Sequence, residues 1–116
     1  MITHNVYFPI RTTLLKLKFN VSSIGFNYWI TSIIEYRRNY FRYNNTIENI
    51  YEEIALLHNS TRNRVERAMR TALAPAKEEI RKKFNYNGRI TNKVALELLS
   101  NNYMFLFNEN HIPRID

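Results

Sequence analysis

The sequence predicts an all-α fold, a single compact domain of about six helices that contains a helix-turn-helix. Only two glycines and three prolines interrupt its 116 residues. Apolar residues recur at i, i+3, i+4 and i+7 in several segments, as on one buried helix face, and few segments show the alternation of a strand. With 45% hydrophobic residues, the chain can bury a core of its own.

The first residues of the chain, 1–10, are predicted to form an N-terminal arm. Pro9 disfavours a helical conformation at the residue before it, so we expect an extended chain up to Pro9. A short first helix should follow from about Thr12 to Phe19. The helix-turn-helix domain should cover residues 11–107, and residues 108–116 should form a flexible tail.

A second helix, capped by Ser22 or Ser23, supplies the predicted centre of the core. Its large apolar residues follow the i, i+3, i+4, i+7, i+8 spacing of one buried stripe. They are Phe26, Trp29, Ile30, Ile33 and Ile34. Trp and Ile bury large apolar areas, so this stripe should anchor the fold.

Arginines are interleaved with aromatic residues over positions 35–45. Such a segment can follow a nucleic-acid backbone and stack on its bases. The alternative is a helix whose aromatic side chains pack inward while its arginines stay in water. We favour this alternative, while allowing Arg37, Arg38 or Arg42 a phosphate contact.

Residues 51–74 are predicted to form the helix-turn-helix. The first helix of this motif has three apolar residues on one side, Ile54, Ala55 and Leu57. Asn59 lies in the turn, where Asn tolerates a positive φ better than most residues. Thr61 can cap the second helix by accepting a hydrogen bond from a free backbone N–H, and Pro75 should end or kink that helix after Ala74.

The second helix of the motif has two contrasting faces. One is an apolar stripe made of Val65, Ala68, Met69, Ala72 and Leu73. The other is polar and basic, with Asn63, Arg64, Arg67, Arg70 and Thr71 on it and Glu66 at its edge. Arg can donate two hydrogen bonds to guanine, so this face suits a DNA major groove. The plainer interpretation is a solvated surface helix, because basic amphipathic helices are common.

Two more helices are predicted downstream. The first is short and charged, from Lys77 to Phe84, and its Lys82 and Lys83 either contact phosphate or are simply solvated. The second is capped by Thr91. Its buried stripe is predicted to be Val94, Ala95, Leu98 and Leu99.

The end of this last helix allows two interpretations. If it continues, Leu96, Tyr103 and Phe107 form a second apolar side that a subunit could cover. If it ends near Asn101, the apolar residues after it fold back on the core.

The composition of the chain limits the classes of function that are possible. The net charge of +7 and the pI of about 9.9 suggest a polyanionic partner, with nucleic acid the first candidate. The absence of Cys excludes disulfides, thiolate zinc sites and Cys nucleophiles. Glu52 and Glu53 point about 100° apart on a helix, so they do not form a catalytic pair. We expect neither an enzyme nor a cofactor or metal, no membrane segment, and a cytoplasmic, nucleoid-associated location.

The run Asn59–Arg70, Asn-Ser-Thr-Arg-Asn-Arg-Val-Glu-Arg-Ala-Met-Arg, resembles a family signature. It is similar to Asn-Thr-Thr-Pro-Ser-Arg-Val-Glu-Arg-Ala-Ile-Arg in the C-terminal DNA-binding effector domain of the sporulation response regulator of Firmicutes, stage-zero sporulation protein A. Shorter matches keep the same order on either side, at Gly25, Phe26, Tyr28, Trp29, Tyr51, Ile54, Ala55, Phe84, Tyr86, Thr91 and Asn92. The resemblance covers roughly Arg11 to Tyr103.

The resemblance implies DNA-contacting roles for Arg64, Glu66, Arg67 and Arg70. Their chemistry agrees, since Arg67 can bind guanine and Glu66 can accept from cytosine N4. The residues that we assign to the DNA backbone are Thr61, Arg62, Asn63, Thr71, Lys82 and Lys83. Arg62 stands where the family has proline, and Thr71 where it has histidine, which alters the expected target sequence.

The resemblance also implies a homodimer, head-to-tail on adjacent DNA boxes through surfaces that include the last helix. The chain has no room for a phosphoacceptor receiver domain, so we expect a stand-alone, sequence-specific double-stranded DNA-binding transcription regulator. One rival is a protein-interaction module that pairs with a full-length sporulation regulator and modulates it. Another is a binder of single strands or RNA through residues 36–43.

Overall fold

The computed structural model describes residues 2–38 and 46–102, with side chains from residue 7 onwards. Six α-helices lie in these ranges: α1 (Ile2–Lys16), α2 (Ile24–Arg38), α3 (Ile47–Leu57), α4 (Arg62–Leu73), α5 (Lys77–Phe84) and α6 (Asn92–Asn101). A 3₁₀ turn, Ala74–Ala76, joins α4 to α5 at Pro75. The described residues contain no strand, so the all-α prediction is confirmed.

The centre of the fold is the packing of α2 against α4, the most extensive helix–helix contact of the described residues. The predicted stripe of α2 is buried at Phe26, Trp29, Ile30 and Ile33 and partly buried at Ile34. The predicted stripe of α4 is buried at Val65, Met69, Ala72 and Leu73 and partly buried at Ala68. Apolar burial therefore positions both helices. It stabilises the fold by about 25 cal/mol for each Å² of apolar surface removed from water.

Glycine at position 25 permits the close approach of α2 to α4. A Cβ at Gly25 would overlap the backbone carbonyl of Ala68. The two backbones meet there without an intervening side chain, and Ala68 itself is small. The pair of small residues thus sets how deeply α4 sits against α2.

Threonines cap three of the helices in the same way. The hydroxyls of Thr46, Thr61 and Thr91 each accept a hydrogen bond from the backbone N–H three residues ahead, over 3.3, 3.2 and 3.2 Å respectively. The Ser23 hydroxyl accepts from the Gly25 N–H over 3.0 Å at the start of α2. Each bond satisfies one of the backbone donors that a helix N-terminus leaves unpaired.

The extended arm predicted up to Pro9 is wrong, since α1 runs from Ile2 to Lys16 with Pro9 inside it. A proline in a helix costs about 3 kcal/mol because it removes one backbone hydrogen bond. Here the inner face of α1 offsets that cost by burying Ile10, Leu14 and Leu17 in the core. The domain limits at residues 11 and 107 stay a prediction.

Two further predictions about apolar faces are wrong. Leu57 was predicted on the buried side of α3, but it is 67% exposed and its neighbour Leu56 is 82% exposed. Leu96 was a candidate for a subunit contact, but it is 1% exposed and packs in the domain's own core. Helix α6 ends at Asn101, as in the second interpretation of this segment, and Tyr103 and Phe107 lie outside the described residues.

Replacing Gly25 tests the contact between α2 and α4. We expect Gly25→Ala to destabilise the protein by about 1–3 kcal/mol or more, because the added methyl group overlaps backbone that cannot move aside alone. Urea unfolding followed by circular dichroism measures the change. Gly88→Ala is the matched control, since its Cβ meets only the ring of Tyr86, which can turn away. Equal stability of the two variants would contradict the role of Gly25.

Candidate nucleic-acid interface

The turn between α3 and α4 has the geometry of a helix C-terminus closed by a left-handed residue. Asn59 has φ of 52°, as predicted. The Ser60 N–H donates to the Ala55 carbonyl over 2.8 Å, and the Asn59 N–H to the Leu56 carbonyl over 3.5 Å. This is the hydrogen-bond pattern of a Schellman motif, which ends α3 and redirects the chain into α4.

Helix α4 starts at a capped N-terminus and exposes the predicted polar face. The exposed residues of this face are Asn63, Arg64, Arg67, Arg70 and Thr71, and Glu66 is half-buried at its edge. Thr61 and Arg62 are also exposed, at the N-terminus of the helix. Lys82 and Lys83 are exposed on α5, so they are not part of this face.

Two of the arginines on this face are held by carboxylates. Arg70 pairs with Glu66 one turn earlier over 3.2 Å, and Arg62 pairs with Glu52 of α3 over 3.6 Å. All four side chains are at least a third exposed, so each pair contributes little, about 0–1 kcal/mol. Arg64 and Arg67 form no ion pair with any residue that the structure describes.

The inner side of α4 receives three hydrogen bonds from other parts of the chain. The Trp29 indole N–H donates to the Met69 carbonyl over 2.8 Å, and the Asn20 backbone N–H donates to the Ala72 carbonyl over 3.0 Å. The Asn92 side-chain amide donates to the Glu66 carbonyl over 3.1 Å. Successive acceptor carbonyls are three residues apart, so the three bonds lie along the inner face of α4. Together they oppose rotation of α4 about its axis.

Asn92 joins a third helix to this arrangement. Its amide nitrogen also lies 3.1 Å from the Tyr51 hydroxyl of α3, and both side chains are buried. Burial raises the pKa of Tyr51, although the hydrogen bond with Asn92 opposes the shift, so the hydroxyl stays neutral at physiological pH. Sequence reasoning assigned no role to Asn92, because its partners lie 26 and 41 residues away in the chain.

The described part of the arginine and aromatic segment, residues 35–38, forms the last turn of α2. Tyr36 is partly buried against the core, and Arg37 reaches the Ser100 carbonyl of α6 over 3.4 Å. Arg38 pairs with Glu35 over 2.9 Å. These contacts favour the inward-packing interpretation, and Arg42 lies outside the described residues.

Among the residues described, no group of His, Asp or Glu could hold a metal ion, and no helix is long and apolar enough to cross a bilayer. The exposed face of α4 is therefore the strongest candidate for a functional surface.

A model of a known protein family matches most of the chain. The model of the sporulation initiation factor Spo0A C-terminal domain matches residues 10–101. The chain belongs to this family. The resemblance noted in the sequence is thereby confirmed, and the family's members are DNA-binding domains of transcription regulation. Comparisons with curated proteins and with solved structures find no match.

Membership of the Spo0A C-terminal family covers all of the candidate interface. The matched range begins at Ile10, inside α1, and ends at Asn101, the last residue of α6. The structured elements α2 to α6 therefore all belong to the Spo0A-like domain, including the three helices that meet at Asn92.

The Thr61 cap can be tested by itself. We expect Thr61→Ala to destabilise the Spo0A-like domain by about 1 kcal/mol, because the Arg64 N–H loses its acceptor. Thr61→Ser keeps the hydroxyl and should stay within a few tenths of a kcal/mol of the wild-type value. Chemical denaturation measures both. An equal loss in the two variants would show that the methyl group of Thr61, and not its hydroxyl, stabilises the helix.

Proposed function

We propose that this chain is a stand-alone, sequence-specific regulator that inserts α4 into the major groove of double-stranded DNA. The observation that carries the proposal is the contrast between the two sides of α4. Its inner side is bound by Trp29, Asn20 and Asn92, while its outer side exposes Arg64 and Arg67, which form no ion pair within the described residues. A rigid helix with available guanidinium groups is what direct readout requires.

The spacing of the arginines supports readout of successive base pairs. Arg64, Arg67 and Arg70 are three residues apart, about 4.5 Å along the helix axis for each step. Base pairs are stacked about 3.4 Å apart, and the major groove is about 12 Å wide, enough to admit a helix. We therefore assign base contacts to Arg64, Arg67 and Arg70, with Glu66 accepting from cytosine.

The ion pairs on this face do not oppose the proposal. The pair Glu66–Arg70 is partly exposed, so exchanging it for contacts with bases costs about 1 kcal/mol at most. Glu52 neutralises part of the charge of Arg62 in the same way. The Glu66–Arg70 pair weakens contacts with a random duplex more than contacts with a matched one, because only the matched duplex offers the Glu66 carboxylate a cytosine amino group.

Contacts with the DNA backbone form the second part of the proposal. Thr61, Arg62 and Asn63 lie at the N-terminus of α4, where backbone N–H groups and the helix dipole favour a phosphate. Thr71, Lys82 and Lys83 add contacts farther along the duplex. These contacts supply affinity and position rather than sequence information.

Head-to-tail pairing on adjacent DNA boxes is the third part, and it is supported by the family resemblance alone. Leu96 cannot contribute to such a contact, because it is buried inside the domain. The exposed surface of α6 that remains includes Lys93 and Asn101. A pairing through α6 would therefore be polar rather than apolar.

Arg67 is the decisive residue for the readout. We expect Arg67→Ala to weaken binding to the preferred duplex by about 1–3 kcal/mol and to reduce the preference over a scrambled duplex. Arg67→Lys keeps the charge but loses the two-pronged donor, so it should retain most affinity for scrambled DNA while losing the preference. The preferred duplex comes from selection out of a random library, and fluorescence anisotropy at fixed salt measures both affinities.

The outcome that opposes the proposal is equally specific. If wild-type protein binds the selected and the scrambled duplex alike, and Arg67→Ala does too, then α4 does not read bases. Stronger binding to RNA or to single strands than to any duplex would favour a different class of nucleic acid.

Lys82 tests the contacts with the DNA backbone. We expect Lys82→Ala to weaken binding to all duplexes alike and to lower the slope of log Kd against log salt by about one. Lys16→Ala is the control, because Lys16 is an exposed lysine at the end of α1 that has no assigned contact. Equal slopes for wild type and Lys82→Ala would place Lys82 away from the DNA.

A further inference from the structure

We propose that Asn92 is a positioning residue for DNA readout, which holds the first half of α4, with three of its four assigned base-contact residues, in place through the Glu66 carbonyl. The inference rests on the proposed function of α4. Asn92 is the first residue of α6 and is 6% exposed. It contacts no DNA in this proposal and acts only through the helix that does.

The orientation of the Asn92 amide follows from its partners. A backbone carbonyl can only accept hydrogen bonds, so the group 3.1 Å from the Glu66 carbonyl must be the NH₂ group. The second proton of the same group points to the Tyr51 hydroxyl at 3.1 Å. The Asn92 oxygen is buried and has no hydrogen-bond partner among the described residues. The donor function of this side chain is therefore the one that the fold uses.

The position of the bond along α4 distinguishes it from the other two. Trp29 and Asn20 bind the Met69 and Ala72 carbonyls, in the second half of the helix. Asn92 binds the carbonyl of Glu66, which is itself an assigned base contact and adjoins Arg67 in sequence. Without Asn92, no tertiary hydrogen bond among those found reaches the first half of α4. That half would then be held by apolar packing, which is not directional.

Asn92 also couples α4 to α3 and α6, since Tyr51 belongs to α3. The three helices meet at one amide group, so the angle at which α4 leaves the turn is set by a bond rather than by loop length. Arg67 must reach base edges at hydrogen-bond distance and angle. A small shift of this half of α4 therefore weakens a paired hydrogen bond to a base more than it weakens the attraction between the guanidinium charge and a phosphate.

The test compares Asn92→Leu with Asn102→Ala in the full chain. Leu keeps the branched shape of Asn, lacks the donors and leaves no buried amide oxygen, so the fold should survive the change. Asn102 donates to the Leu98 carbonyl over 2.7 Å at the exposed end of α6, so its removal deletes the same kind of bond without affecting α4. The fraction of each preparation that binds DNA is first measured by titration at high duplex concentration. Anisotropy titrations with the selected and the scrambled duplex then give the preference of each variant.

The expected result is a loss of preference of about tenfold in Asn92→Leu, the value of one misaligned two-pronged contact, with little change in affinity for scrambled DNA. Asn102→Ala should match the wild type. The indole N–H resonance of Trp29, the single tryptophan, reports whether the second half of α4 keeps its place. It should be unchanged in Asn92→Leu, while the amide of Arg70, which follows the Glu66 carbonyl by one turn, should exchange faster with solvent.

Two outcomes overturn the inference: Asn92→Leu could keep the wild-type preference, or it could lose affinity for both duplexes in equal proportion. If the Trp29 resonance shows that Asn92→Leu is unfolded, Asn92→Ala, which also lacks the donors, replaces it in the same titrations and is judged by the same two outcomes. Failure of the proposed function is separate, since it appears as a lack of preference in the wild-type protein itself.

Discussion

The structure depends on the contacts that fix the inner face of α4 to the core of the domain. Gly25 lets the backbone of α2 touch that of α4 at Ala68, and the buried indole of Trp29 donates to the carbonyl of the next residue, Met69. Apolar burial supplies most of the stabilising free energy, but it tolerates small rotations and slides. Hydrogen bonds to the Glu66, Met69 and Ala72 carbonyls remove that freedom, because each requires a particular distance and angle.

This arrangement places the two roles of α4, packing in the core and presenting exposed polar side chains, on opposite faces of the helix. The side chains of the inner face belong to the core and could not change without repacking α2. The outer side chains contribute almost nothing to stability, since their ion pairs are exposed and weak. The outer residues can therefore vary without repacking the core, and Arg62 and Thr71 depart from the family pattern at no evident structural cost.

Much of the architecture could be predicted from local patterns. The stripes of α2 and α4, the caps at Thr61 and Thr91 and the positive φ of Asn59 all follow from interactions within one or two helical turns. Errors arose where distant packing outweighed a local preference. Pro9 disfavours helix locally, yet burial of Ile10, Leu14 and Leu17 keeps α1 helical through it. Leu57 is apolar, but it is the last residue of α3 and stays exposed there.

In the candidate site, too, some features follow from local sequence patterns and others from contacts between distant residues. Periodicity placed the arginines on one face and the apolar residues on the other, because side-chain direction on a helix depends only on position in the chain. Whether that face is free or covered depends on contacts between residues far apart, and so do the roles of Trp29 and Asn92. Those roles required the folded structure, since a hydrogen bond spanning 26 to 41 residues has no counterpart in local sequence patterns.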